Sequence, residues 1–329
     1  MKNITILALD DGSATSITGP MEVFQMTGTL WNMANGLEPT PFFNVQVVTL
    51  TGEPVRTMNG ITISAHGSID DVTDTDLIIV SPTTNIEKNL SKQGRIIPWL
   101  LDQYNNGAQI AGVCTGVFIL AATGLLDGKI ATTHWAVANE FKQLYPLVNL
   151  MPERLFTDAN DLYCSGSYNS CIDLSVYLVE KFCGREIALQ TAKILIHDIN
   201  RISQAPYTPF NFQRNHIDEH VLNAQRHMET TFAGQIDIEQ LARSQGMARR
   251  TFERRFKAAT GDTPNHYIQR VRVEKAKRIL ESEQKSLDEI SYQVGYEDSG
   301  FFRKVFTKHT GLKPGEYRAK FQRVVEFQS

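Results

Sequence analysis

Through the first two hundred residues, short apolar runs alternate with segments of helical spacing. Ile4–Leu9, Val45–Leu50, Leu77–Val80 and Gln109–Val113 are rich in β-branched residues, nearly unbroken in hydrophobicity and closed off by polar residues or glycine. Such runs predict strands covered on both faces, because a strand with one wet face would alternate. Between them Pro20–Ala34, Lys92–Tyr104 and Thr115–Thr123 carry helical spacing. Further helices are predicted at Ala136–Leu144, Ile172–Phe182 and Glu186–Asp198. Strand–helix alternation predicts an α/β domain over 1–202, a doubly wound parallel sheet with helices on both faces.

The pattern then changes. Ser203–Asn215 holds Gln204-Ala205-Pro206-Tyr207-Thr208-Pro209-Phe210, with two prolines and no helical stripe. It predicts a linker over 203–217, with aromatics available to pack it. Beyond it an all-α domain is predicted over 218–329, with helices at His216–Thr230, Ile238–Ser244, Arg249–Ala259, Pro264–Ser282, Leu287–Val294 and Gly300–His309. A chain of 329 residues is long enough for both domains to bury a core.

The helical domain repeats itself. Leu241-Ala242, Gly246 and Phe252-Glu253-Arg254-Arg255-Phe256 return as Ile290-Ser291, Gly295 and Phe302-Arg303-Lys304-Val305-Phe306. The glycines are 49 residues apart (246 and 295) and the phenylalanines 50 (252 and 302). Thr260-Gly261, Pro264 and Tyr267 match Thr310-Gly311, Pro314 and Tyr317. A short helix, a glycine turn and a second helix bearing basic residues, twice over, predict a tandem helix-turn-helix at about 238–259 and 287–309.

In the first unit Asp237 or Ile238 starts the short helix, Ile238, Leu241 and Ala242 face inward, and Gly246 reverses the chain at a position favouring positive φ. Phe252 and Phe256 pack inward one turn apart, leaving Arg249, Arg250, Glu253, Arg254 and Lys257 for DNA. Arginine forks match guanine O6/N7 or phosphates; Glu253 either accepts from cytosine N4 or limits how deeply the helix sits. In the second unit Asp298 or Ser299 caps the helix and Ser299, Arg303, Lys304 and Lys308 face outward. Ile268, Val271, Ala276 and Ile279 keep roughly one face of the connecting helix, which predicts two recognition helices about 34 Å apart along DNA.

Charge agrees with this division. Residues 1–214 hold 13 Lys+Arg against 20 Asp+Glu, and 215–329 hold 20 against 16. Only the basic part is suited to a polyanion. The four cysteines, Cys114, Cys164, Cys171 and Cys183, suit neither a zinc site nor a disulfide framework. His66, His197, His216, His220 and His227 show no ligand spacing, so no metal and no cofactor are expected. Absence of a signal-peptide pattern or a long apolar run predicts a cytoplasmic protein without a membrane partner.

The repeat, above all Gly295-Tyr296-Glu297-Asp298-Ser299-Gly300-Phe301-Phe302-Arg303-Lys304-Val305-Phe306 with Thr310-Gly311-Leu312-Lys313-Pro314-Gly315-Glu316-Tyr317-Arg318, resembles the AraC/XylS family of transcription regulators over about 225–322. The resemblance implies a double helix-turn-helix on two adjacent major grooves, preceded by an effector or dimerisation domain. Gly300 and Phe301 depart from it, standing where many members carry polar residues.

In the first domain Ala111-Gly112-Val113-Cys114-Thr115-Gly116 ends a strand and opens a helix. Flanking glycines relieve crowding in the sharp turn of a nucleophile elbow, and the helix N-terminus is expected to lower the thiol pKa. With Gly19-Pro20-Met21-Glu22-Val23-Phe24, Ala121–Gly128, Thr133-His134-Trp135 and Asp173, this context resembles the ThiJ/PfpI group of the class I glutamine amidotransferase-like fold, with its flavodoxin-like sheet. More narrowly, it looks like the amidase-like sensor domains that precede AraC-type units. Catalytic relatives commonly place a histidine after the cysteine and an acid on the loop after the first strand; here Thr115 and Ser16 stand there.

The elbow is therefore read as vestigial, with no catalytic residue, and as a ligand pocket lined by Cys114, Thr115, His134, Trp135, Ser165 and Gly166. The Trp135 indole would offer a face to a cationic or amide ligand, or else pack under the next helix. Backbone N–H groups around Ser165 and Gly166 would bind a carboxylate, or simply begin a helix. The combined expectation is a non-enzymatic, homodimeric regulator of double-stranded DNA, answering to a small effector. Resemblance suggests an amino acid or quaternary amine. The rivals are a cysteine-dependent hydrolase or amidase with Cys114 as nucleophile and His134 as base, and a second helix-turn-helix that contacts RNA polymerase.

Overall fold

The computed structural model describes residues 1–322, with every side chain in that range except those of 87–93. The last seven residues of the expected 218–329 domain lie outside the described ones. The chain divides into two compact units, one over Met1–Gln204 and one from Ala205 onward.

The first unit is built on seven strands: β1 (Lys2–Leu7), β2 (Phe43–Thr49), β3 (Gly67–Ser68), β4 (Leu77–Val80), β5 (Gln109–Val113), β6 (Phe156–Asp158) and β7 (Leu162–Ser165). They lie in the order β6-β7-β5-β4-β1-β2-β3. Every pairing is parallel except the β6–β7 edge. The register sets Ile4 beside Val45 and Leu77, and Cys164 beside Gly112. Among the helices that accompany the sheet are α1 (Thr15–Met26), α2 (Ile86–Asn105), α3 (Gly116–Ala122), α4 (Ser170–Cys183) and α5 (Arg185–Ile194). Alternate strand residues point to opposite sides, so each face gathers its own core. Ile4, Ile6 and Ile79 meet Ile17, Phe24 and Leu174 on one side; Ile78, Val80 and Ile110 meet Leu100, Val117 and Phe118 on the other.

Two expectations change here. Pro20 lies inside α1 instead of opening it, and the predicted Pro20–Ala34 helix is broken. Gly28 turns the chain at φ +74, where an added Cβ would lie 2.1 Å from the Thr40 carbonyl oxygen, and a separate short helix follows at Leu30–Ala34. Strands β3 and β6, at two and three residues, are too short to show a period.

The second unit contains α6 (Glu219–Thr230), α7 (Ile238–Ser244), α8 (Arg249–Thr260), α9 (Pro264–Ser282), α10 (Leu287–Gln293), α11 (Ser299–Thr310) and α12 (Pro314–Phe321). It holds two cores that share α9. Ile238, Leu241, Phe252, Phe256, Tyr267 and Val271 form the first; Ala276, Leu280, Ile290, Phe302, Phe306 and Tyr317 form the second. The connecting helix serves both cores: Ile268 and Val271 enter the first, while Ala276 and Ile279 serve the second.

The segment expected as a linker over 203–217 is largely part of this unit. Phe210 is buried in the first core with Phe212 against it, and its backbone N–H donates to Glu274. Two aromatic rings and satisfied backbone groups give it the packing that a free tether lacks.

Candidate functional site

The two helix-turn-helix units are assembled by the same contacts. Asp237 caps α7 through the N–H groups of Glu239 and Gln240, as Ser286 caps the equivalent α10 through that of Glu289; on α11 Asp298 adds a cap, through Gly300 and Phe301, that α8, preceded by Ala248, lacks. Gly246 and Gly295 make the turns at φ +71 and +93, and at Gly295 an added Cβ would lie 2.8 Å from the Ala233 carbonyl oxygen. Phe256 meets Tyr267 edge-on at 5.3 Å, as Phe306 meets Tyr317 at 5.4 Å. Each tyrosine hydroxyl donates to a carboxylate, Glu229 in one unit and Glu281 in the other. The buried polar tips are thereby satisfied, which lets a tyrosine fill the core without stranding its hydroxyl.

Buried phenylalanines leave the opposite helix faces to charge. On α8, Arg250, Arg254 and Lys257 are exposed and form no ion pair among the described residues. Arg249 is exposed as well, but its Nε donates to Glu253 at 2.9 Å, so Glu253 is engaged within the helix. Arg255, one residue from this stripe, turns away to Asp218. On α11, Ser299 lies in the first turn, Arg303 stands 3.5 Å from Asp288, and Lys304 and Lys308 are exposed without an ion pair among the described residues. Lys313, at the entry to α12, lines one groove with Arg303, Lys304 and Lys308. It was not singled out in the sequence, although a Lys-Pro at a helix start places its charge beside the preceding helix end.

The elbow lies at the carboxyl end of β5. Cys114 adopts φ +53, a left-handed conformation that is strained for a residue with a Cβ. Crowding requires the glycines around it: a Cβ on Gly112 would approach the Val117 Cα to 2.9 Å, and one on Gly116 would meet the Val80 carbonyl oxygen at 2.4 Å. The expectation of an acidified thiol fails. Burial pushes Cys114 up to about 11, against the lowering effect of the Thr115 backbone N–H. A short helix N-terminus does not offset loss of water around the sulfur.

The other expected pocket residues are drawn into the scaffold. Thr115 Oγ1 donates to the Thr83 carbonyl and accepts from the Thr83 N–H, tying the elbow to the loop after β4. His134 Nδ1 accepts from Ala136 N–H and starts a short 3-10 turn, with the Trp135 ring 5.0 Å away. Burial lowers the His134 pKa, and no hydrogen bond joins it to Cys114 among the described residues. Ser165 Oγ shares a hydrogen bond with Ser170 Oγ, and the Gly166 N–H donates to Leu155. The expected carboxylate donors in that loop thus have internal acceptors.

The DJ-1/PfpI family model matches residues 2–181, more than half of the chain. The chain belongs to the DJ-1/PfpI family. A helix-turn-helix domain model, of the AraC type, matches residues 241–320. The HTH-type transcriptional regulator CdhR of Pseudomonas aeruginosa is 26% identical over 280 residues, covering 83% of this chain and 81% of that protein. The HTH-type transcriptional regulator GbdR of the same species is 24% identical over 325 residues, covering 96% and 84%. Among solved structures, an AraC family transcriptional regulator from Pseudomonas putida aligns with TM-score 0.51 at 21% identity, covering 59% of this chain and 100% of that one. Drosophila melanogaster DJ-1beta aligns with TM-score 0.51 at 18% identity, covering 60% and 98%. These structural likenesses show the fold of the DJ-1/PfpI unit.

Within this DJ-1/PfpI unit, Ser16 is fully buried and its hydroxyl has no hydrogen-bond partner among the described residues. Among the described residues no carboxylate holds the thiol in its place. A feature that sequence reasoning missed lies away from the elbow: Asp173, with its side chain buried, faces His197 at 3.2 Å and Arg201 at 3.6 Å beside a cavity of about 250 Å³. Residues 24 and 28 positions apart give no local spacing by which to recognise that cluster. In the second unit His266 binds Asp262 at 2.6 Å and its ring lies 5.0 Å from His309, whose pKa burial pushes down to about 4. Among the described residues no group of three metal-ligating side chains is found, and no helix is long and apolar enough to cross a membrane.

Proposed function

We propose that this protein is a DNA-binding transcription regulator in which the DJ-1/PfpI unit senses a small metabolite and the second unit contacts two adjacent major grooves. One observation carries the reading: two recognition helices on equivalent aromatic cores both turn basic faces outward, with Arg250, Arg254 and Lys257 on one and Lys304 and Lys308 on the other. Arg249 and Arg303 add charge at their edges. The effector belongs at the carboxyl ends of the strands near Cys114, where open α/β sheets take ligands. An amino acid or quaternary amine suits this reading, as does a homodimer that gains avidity on repeated half-sites in the cytoplasm.

Turnover is not part of the proposal. A thiol with a pKa of about 11, a histidine engaged elsewhere and a serine in the acid's position lack the parts of an activated nucleophile. At pH 7 roughly one such thiol in ten thousand is ionised. Cys114 should alkylate slowly at that pH, and rapid labelling near pH 6–7 would restore the hydrolase reading. The main test is selection of duplexes from a random library by the full chain, followed by a salt titration. Several phosphate contacts should make log K fall steeply and linearly with log salt, and a flat plot would reject DNA as the partner.

A further inference from the structure

The first unit ends on a residue that is built into it with unusual thoroughness. Gln204 is buried, and its Nε2 donates to the carbonyls of Thr133 (2.9 Å) and Arg154 (3.1 Å) and to Thr132 Oγ1 (3.3 Å). Its own N–H donates to Glu153. Gly166 leaves room for it: a Cβ there would lie 2.5 Å from Gln204 Nε2. Both surroundings lead straight to the elbow. Thr133 Oγ1 donates to the Cys114 carbonyl at 2.7 Å, and the Cys114 N–H donates to Ser165, the residue before Gly166.

The residues that follow are fastened as firmly to α9. Lys277 Nζ donates to the Thr208 carbonyl at 2.9 Å, the Phe210 N–H donates to Glu274, and Arg270 lies over the Phe210 ring at 4.5 Å. Tyr267 packs on Phe210 at 5.2 Å, and its hydroxyl, which donates to Glu229, also lies 3.2 Å from the Phe212 carbonyl. Positions 267, 270, 274 and 277 lie three or four apart and share one helix face. Lys277 and Glu274 are a nearly buried ion pair at 3.1 Å, with side chains 8% and 13% exposed. Such a pair depends on its additional hydrogen bonds, and two of these come from the backbone of the strap.

We infer that Gln204 and the strap 205–213 tie the conformation of the Cys114 elbow to α9, the helix that sets the spacing of the two recognition helices. Gln204 is then a positioning residue, which acts by holding the origin of the strap. A ligand that moves Thr133 or the Gly166 loop releases or shifts Gln204, and the covalent chain transmits that change to Phe210 and Glu274. The inference rests on the elbow being the effector site.

The test uses the full chain and a duplex selected by it from a random library. Thr133→Val, which removes the hydroxyl to Cys114, and Gln204→Ala should each change duplex Kd by about fivefold or more, though neither lies in the DNA-binding unit. Combined, they should do no more than either alone. A Gly-Ser-Gly-Ser insertion between Gln204 and Ala205 should abolish both effects. Thermal unfolding establishes that each variant is folded. Effects that multiply, that survive the insertion, or that are missing in folded variants would overturn the coupling. Amide hydrogen exchange gives a reading without DNA: Gln204→Ala should speed exchange at Phe210 and along α9, and unchanged protection there would reject the strap. If the wild-type chain selects no duplex, the regulator reading fails, while the exchange experiment still decides the strap.

Discussion

The two helix-turn-helix units share a frame and differ in what they present. Ring separations of 5.6 Å for Phe252–Phe256 and 5.7 Å for Phe302–Phe306, with interplanar angles of 57° and 58°, show how closely the cores agree. At the offset of 50 that aligns those rings, Arg250 stands against Gly300, Arg254 against Lys304, Glu253 against Arg303 and Ala258 against Lys308. A core position changes only with its neighbours, because interiors are close-packed, whereas an exposed position is bound only by its ligand. The first unit carries arginine forks, which can read a base bidentately; the second carries lysines, which act as point charges, and a glycine in the first turn. We therefore expect the first helix to specify sequence and the second to hold the complex on its phosphates.

The largest effect should come from breaking the shared frame. Phe256→Ala and Phe306→Ala each remove a fully buried ring, so each should cost about 3–5 kcal/mol in a urea titration. A loss below about 1 kcal/mol in either would mean that its ring contributes little to that core. Next comes Arg254→Ala, which should weaken binding to the selected duplex by about 1–3 kcal/mol and relax preference at one base pair. Equal loss on all sequences would make Arg254 a phosphate contact and erase the distinction drawn between the units.

How much of this could be read from the sequence depended on how local each signal was. The frame of the second unit was legible because its marks recur: Phe-x-x-x-Phe, Thr-Gly and Pro-x-x-Tyr report a repeated core. Strand β5 and the Cys114 turn were legible because Gly112 and Gly116 relieve crowding within a few residues. The thiol pKa was not, since it depends on burial by distant segments; the helix end that suggested acidity is a local feature overruled by desolvation. Gln204 was read as part of a tether because prolines follow it, and its partners Thr132, Thr133 and Arg154 lie 50 or more residues away. The Glu253–Arg249 pair was within reach, being four residues apart on one helix.

A smaller effect should separate the units by salt dependence. Lys304→Ala and Lys308→Ala should each weaken binding about equally on every duplex, and each should flatten the slope of log K against log salt by about 0.9. Arg254→Ala changes sequence preference as well as slope, so comparing the two signatures sharpens the division of labour. If Lys304→Ala alters preference at one base pair, the second helix reads sequence too, and the contrast between the units narrows.

The smallest effect is expected where the first unit carries an acid and the second a base. Glu253 is paired with Arg249 on the exposed face of α8, so the two charges largely cancel for any approaching phosphate. Glu253→Gln removes the acid and frees Arg249 to engage the backbone, which should strengthen binding on all duplexes and steepen the salt slope by up to about 0.9. The helix itself should lose little, since exposed pairs of this kind are heavily screened. The position also discriminates between two roles. A carboxylate that accepts from cytosine N4 would lose that bond, and Glu253→Gln would then weaken binding at one base pair alone. Because Glu253 is occupied by Arg249 and the equivalent residue of the second unit is Arg303, we expect the uniform gain: this acid restrains a basic helix, and the second unit, with fewer arginines, has no need of the restraint.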